Sequence, residues 1–262
     1  MSTKTAAGIF AADEVSEDSA LGGRLVLRQP LRGHRFGHDA ILLAAATAAH
    51  AGEHAVDLGA GVGAAGLALA RRVEGVTVTL VEIDPAVAAL ARDNAARNAL
   101  SSRVRVVCLD VAAPAAAFAA GGLAAASADR VLMNPPFNAP QNPSPDCGRR
   151  VARTASRNTP AQWLRAAARI LRASGLVTLI WRADGLADVL AALADGFGAV
   201  SVLPVHAKPE MPAIRVLVGA TKDSSAPLSL LPGLFLADAD GKPSRQAEAV
   251  LRGGAALPLT GS

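Results

Sequence analysis

Val56-Asp-Leu-Gly-Ala-Gly-Val-Gly-Ala-Ala-Gly66 joins a short apolar run to a helical pattern through closely spaced glycines. Glycine lets the backbone turn tightly and lets a ligand approach the main chain, so the stretch reads as strand, turn and helix at the head of a βαβ unit. Gly61-Val-Gly63-Ala-Ala-Gly66 fits the G-x-G-x-x-G pattern, and an acid, Glu82, follows about 20 residues later. The pattern alone admits NAD, FAD or S-adenosylmethionine, and it also admits a tight turn with no ligand.

Outward from this turn, strand-like and helix-like runs alternate. Strands are expected near residues 54–59, 76–83, 104–109, 130–134 and 175–181, and helices near 63–72, 86–98, 160–172 and 185–194. Pro85 suits a helix start, where its missing N–H does no harm, and Gly175 suits a helix stop. The alternation implies a parallel, doubly wound α/β sheet. Ala199 to Val205 and Ala213 to Thr221 break the rhythm, because only His206 to Pro212 separate them. No crossover helix fits, so they should pair antiparallel. A mostly parallel sheet that ends in such a hairpin resembles the class I methyltransferase (Rossmann-like) fold.

Residues 1–20 read as weakly ordered and 21–262 as a single domain with short appendages. Leu21 to Pro30 suits a strand or hairpin, Gly33 to Gly37 a loop, and His38-Asp39 opens a helix with the acid near its positive end. A Pro/Ser-rich tail follows Lys222, with a short strand near Leu234-Phe-Leu236 and a helix near Ser244 to Leu251.

The 262 residues carry a formal charge of +4, which permits contact with phosphates without requiring it. Cys108 and Cys147 are the two cysteines and fit neither a metal site nor a disulfide framework, which suits a reducing cytoplasm. No metal is expected. The N-terminus has no apolar stretch of signal-peptide length, and Ala/Gly-rich residues 111–128, broken by Pro114, make a poor membrane span.

Acids at successive strand ends separate the cofactor alternatives. Asp57 precedes Gly59, Gly61 and Gly63; an acid there suits a cationic sulfonium cofactor and repels a pyrophosphate. Glu82 ends the second strand, where its carboxylate can accept from both ribose hydroxyls. Asp84 is better placed to cap the helix that begins at Pro85. Asp110 ends the third strand, within reach of an adenine amine. Their shared edge favours S-adenosylmethionine, although each acid alone could be a surface or capping residue.

The fourth strand ends in Asn134-Pro135-Pro136-Phe137. An amine conjugated to a ring is a weak nucleophile, and two acceptors that bind its N–H groups can orient its lone pair. The Asn134 side-chain oxygen and the Pro135 carbonyl could be those acceptors, with Asn134 also beside the cofactor. Phe137 offers a stacking face for an extruded base, in a chain with six Phe, two Trp and no Tyr. A rigid proline turn with Phe137 in the core is the other reading.

The glycine motif together with Asn134 to Phe137 resembles the amino-methyltransferases of adenine N6, guanine N2 and glutamine N5. Arg35-Phe-Gly-His-Asp-Ala-Ile-Leu-Leu43, Pro212 to Val218 and the tail from Asp238 to Leu251 narrow this. They resemble bacterial tRNA adenine-N6 methyltransferases acting beside the anticodon of a valine tRNA. The resemblance implies a tRNA partner, cofactor contacts from Asp57, Gly59, Glu82 and Asp110, and target binding by Asn134 to Phe137. It puts Phe36 and Asp39 near the active site.

Arg149, Arg150, Arg153 and Arg157 could hold phosphates beside the target base, or form a solvated helix face. His34, His38 and His206 show no partner pattern, and Trp163 and Trp181 suit the core. A protein glutamine N5-methyltransferase is the alternative enzyme, although that family usually carries a separate helical domain before the glycines. An rRNA guanine-N2 methyltransferase, an NAD-dependent oxidoreductase and an inactive RNA-binding module complete the alternatives.

Overall fold

The computed structural model describes residues 10–32, 35–136 and 159–259. In chain order its elements are β1 (Val15–Ala20), β2 (Leu25–Pro30), α1 (His38–Ala46), β3 (His54–Leu58), α2 (Ala64–Arg72), β4 (Thr77–Glu82), α3 (Pro85–Arg97), β5 (Val104–Cys108) and α4 (Ala115–Ala120). There follow β6 (Ala128–Met133), α5 (Thr159–Ile170), β7 (Leu171–Arg182), α6 (Leu186–Leu193), β8 (Phe197–His206), β9 (Ala213–Lys222), β10 (Ser229–Leu230), β11 (Leu234–Phe235) and α7 (Arg245–Leu251).

Among the described residues the main sheet has nine strands, in the order β10-β8-β9-β7-β6-β3-β4-β5, with β11 also on β8. Strands β3 to β7 run parallel, and β9 lies antiparallel between β7 and β8. This is the class I methyltransferase architecture, hairpin included. The central strands β3 and β6 are buried almost throughout, as strands covered on both faces must be. One core layer joins α1 and α2 to the sheet, the N-terminal hairpin and α7, and the other joins α4, α5 and α6 to the opposite face. Helix α1 is buried from Ala40 through Ala46, so its apolar sequence needs no polar face.

The register fixes the functional edge. Leu58 lies opposite Val81 on one side and Met133 on the other, and Glu82 lies opposite Cys108. One residue past Leu58, the same register brings Gly59, Glu82, Cys108 and Asn134 to one line at the carboxyl ends.

Two local readings change. Residues 15–20 form β1, paired antiparallel with β2, where weak order was expected. Exposed and half-buried acids along β1 hide its alternation. Strand β7 starts directly after α5, and its pairing with β6 shifts between Leu171 and Leu176. Ser174 has φ 60° there, so Gly175 lies in a bulge that starts the strand rather than in a helix stop.

Buried amides attach the hairpin to the main fold. Asn94 Oδ1 accepts from Arg28 N at 2.7 Å, while its Nδ2 donates to Arg28 O at 2.9 Å and to Val62 O at 3.0 Å. Asn98 accepts from Val26 N at 3.0 Å and donates to Val26 O at 2.7 Å. Side chains from α3 thus take the place of a further strand beside β2. Asn94→Ala leaves three backbone groups without these partners and should lower stability by about 2–4 kcal/mol, read from denaturant unfolding.

Candidate active site

Two carboxylates hold the glycine turn, Asp57 buried and Glu82 half-buried. Asp57 Oδ2 accepts from Gly66 N at 2.8 Å, and Glu82 Oε2 accepts from Gly61 N at 2.8 Å. The second Glu82 oxygen accepts from Asp84 N at 2.9 Å. The missing side chain of Gly66 lets the helix start sit close to β3 and β4: a Cβ there would overlap Leu80 Cδ2 and lie 3.1 Å from both Asp57 Oδ2 and Val78 Cγ1. Burial pushes the Asp57 carboxyl up to about 7, against the opposing pull of the Gly66 N–H and with help from the Glu82 charge. Burial also raises Glu82, while the N–H groups of Asp84 and Gly61 hold it down.

The other sequence candidates fall into distinct places. Asp84 caps α3, its Oδ1 accepting from Ala86 N at 2.8 Å and Val87 N at 3.2 Å. Asp110 is exposed beyond β5, with Oδ1 accepting from Ala112 N at 2.8 Å. Asn134 follows β6, and its Oδ1 is buried with no hydrogen-bond partner among the described residues. Pro135 beside it is buried and Pro136 half-buried. Asp39 pairs at 2.9 Å with Arg215 at the start of β9.

Phe36 packs against the core and donates its N–H to Gln29 Oε1 at 2.9 Å. It lines a cleft of ≈ 750 Å³ between the N-terminal hairpin and α7, which none of the residues of the glycine turn line. Phe137, Cys147, Arg149, Arg150, Arg153, Arg157 and His34 lie outside the described residues. His206 has a partner after all, with Nδ1 2.7 Å from Met211 O and its ring against Phe235. Trp181 is buried in the core, as its sequence context suggested.

Sequence reading missed two contributors to this edge. Ile83, between Glu82 and the capping Asp84, is an exposed large apolar side chain beside Cys108, whose thiol reaches Ile83 O at 3.6 Å. It gives the edge an apolar face for a base; an isoleucine at a strand end facing solvent was the available signal. Trp163 packs on the core of its face as expected, but its indole also lies on Gly59.

The hydrogen bonds discriminate between cofactors. A pyrophosphate needs free N–H groups at the turn and helix start. Here those of Gly61 and Gly66 are taken by carboxylates, which a phosphate would also meet as negative charge. The same residues fit S-adenosylmethionine. Glu82 keeps spare acceptor capacity on each oxygen for a ribose diol, Ile83 presents an apolar face, Asp110 is open to an amine, and a bare glycine backbone beside acids suits a cation.

A family model described as methyltransferase small domain matches residues 36–208. The chain belongs to that family. It is 31% identical over 159 residues to a Porphyromonas gingivalis protein and 35% identical over 151 residues to one from an Enterobacter species. Both are named tRNA1(Val) (adenine(37)-N6)-methyltransferase. The matches cover 59% and 56% of this chain and 61% and 58% of those relatives, so the chain spans about three fifths of their length. A crystal structure from Agrobacterium tumefaciens, described as a predicted O-methyltransferase, superposes with TM-score 0.72 at 31% identity, covering 84% of this chain and 98% of that one. Among the described residues no helix is long and apolar enough to cross a membrane.

The raised Asp57 pKa gives a signed expectation. The folded state holds this proton more tightly than the unfolded chain, whose reference value is 3.8, so stability is fully present below that value and falls as pH rises to about 7. The unfolding midpoint of the cofactor-free protein should fall across that window. Asp57→Asn should flatten this part of the profile, measured by thermal unfolding at constant ionic strength.

Proposed function

We propose that this protein transfers the methyl group of S-adenosylmethionine to an exocyclic amine, and that the amine is N6 of an adenine in tRNA. The observation that carries the amine is the buried, unpaired Oδ1 of Asn134, one residue past a strand that runs beside the glycine turn. An acceptor kept dry and without a partner is suited to a donor that arrives with the substrate.

Asp57 and Glu82 hold the turn; Glu82 would accept from the ribose hydroxyls, and Ile83 and Asp110 would receive the adenine. Once bound, the cofactor supplies an electrophilic methyl group on a cationic sulfur. Asn134 Oδ1 and the Pro135 carbonyl accept the two N–H bonds of the target amine and turn its lone pair toward the methyl. Held this way, the nitrogen would take the methyl group from sulfur, which would leave as a neutral thioether, and would give its extra proton to water. Asn134 does not ionise, so it aligns rather than abstracts a proton. A hydroxyl acceptor, in contrast, needs a base, which a carboxamide is not. That favours nitrogen over oxygen here, whatever the Agrobacterium protein methylates.

Adenine in tRNA is supported by the names of the curated relatives and by the sequence around Phe36 and Asp39. Phe137 would stack the extruded base, and Arg149, Arg150 and Arg153 would hold neighbouring phosphates. A cytoplasmic setting follows from that substrate. The same acceptor geometry suits a glutamine amide, which is the second reading.

Labelled methyl transfer to total tRNA, followed by nucleoside mass mapping, tests the substrate. N6-methyladenosine is the expected product; methyl-glutamine in protein with unlabelled tRNA would refute the tRNA reading. Asn134→Ala should lower kcat by roughly 10²–10³-fold with cofactor affinity unchanged. Glu82→Ala should instead weaken calorimetric cofactor affinity at least tenfold, through loss of a charge-assisted acceptor.

A further inference from the structure

Gly59 and Asn134 are neighbours across the β3–β6 pair, each one residue beyond the Leu58–Met133 register position. A methyl group passing to an amine held by Asn134 must therefore leave a sulfur standing over this pair of strand ends. The indole of Trp163 reaches the same place from the second turn of α5. A Cβ built on Gly59 would lie 2.8 Å from Trp163 Cζ3, closer still to Cη2 and 3.5 Å from Cζ2, so the six-membered ring occupies the space a side chain at Gly59 would fill. Gly59 has φ 68°, and the tryptophan is only half-buried although its helix is well packed. An aromatic side chain that merely filled the core would not need a glycine at the mouth of the site to make room for it.

We infer that Trp163 is a cofactor-binding residue whose ring faces the sulfonium and makes the site prefer the cationic donor over its neutral thioether product. Aromatic rings attract cations through their quadrupole, and this attraction disappears when the methyl group and the positive charge leave the sulfur. The ring strengthens binding before transfer and lets the product go afterwards. It does not accelerate the transfer itself, because the charge it stabilises declines toward the transition state.

The inference rests on the site binding S-adenosylmethionine, and the test keeps the two apart. Trp163 and Trp181 are the two tryptophans of the chain, so Trp181→Phe leaves Trp163 as the sole indole reporter. Titrating this variant with S-adenosylhomocysteine should shift or quench its emission, saturating at the affinity that calorimetry gives. Trp163→Leu should weaken S-adenosylmethionine by roughly 3- to 10-fold more than S-adenosylhomocysteine, while Trp163→Phe keeps most of the preference. Thermal unfolding of the variants with and without ligand shows that they are folded. If the wild type binds neither ligand, the reading of the site fails. If it binds both but Trp163 emission is unmoved, or Trp163→Leu weakens both equally, the inference about Trp163 is overturned.

Discussion

The site depends on two carboxylates that each take a backbone N–H of the glycine turn, Asp57 from Gly66 and Glu82 from Gly61. A turn leading into a helix ordinarily presents those N–H groups to an anion. Once they are taken by side chains of the fold, the turn keeps its shape without a ligand, and its local field is set by buried negative charge. Taking a carboxylate out of water is unfavourable, which is why desolvation raises the pKa of both the buried Asp57 and the half-buried Glu82. A cationic ligand offsets that cost, so the same carboxylates that hold the turn favour a cationic cofactor.

Most of the architecture was legible in the sequence. Strand and helix periods differ, the glycines mark the first crossover, and seven residues between the last long strands leave no room for a parallel connection. A parallel sheet also implied that the residues ending its strands share one edge, while the strand order and register that align Gly59, Glu82 and Asn134 are seen only in the fold. Asp84 as a cap was legible too, because an acid just before Pro85 has one obvious task.

The parts that were not legible depend on contacts distant in sequence. The partner of Asp39, Arg215, lies 176 residues away, and nothing in either local pattern names the other. Asn94 and Asn98 look like polar positions on a helix face, yet they are buried because β2 lays its unpaired backbone against them. Trp163 falls on the apolar stripe of α5, which correctly implied packing. Only the fold shows that the stripe continues onto Gly59. Helical periodicity says which side of a helix is covered, not what covers its end.

Asn94 ties these layers together. Its carboxamide binds both polar backbone groups of Arg28 in the hairpin and the carbonyl of Val62 inside the glycine turn. The hairpin wall of the Phe36 cleft and the cofactor turn therefore share one buried side chain. Asn134 stands in contrast, with a buried oxygen that no described residue satisfies. Leaving such an acceptor unpaired costs about 1–3 kcal/mol, and a flexible side chain would swing away to find a partner. The prolines that follow stiffen the backbone next to it and bring no N–H of their own to quench it. The fold spends its hydrogen bonds on holding the turn and withholds one at the end of β6, which leaves that oxygen held in place with no partner among the described residues.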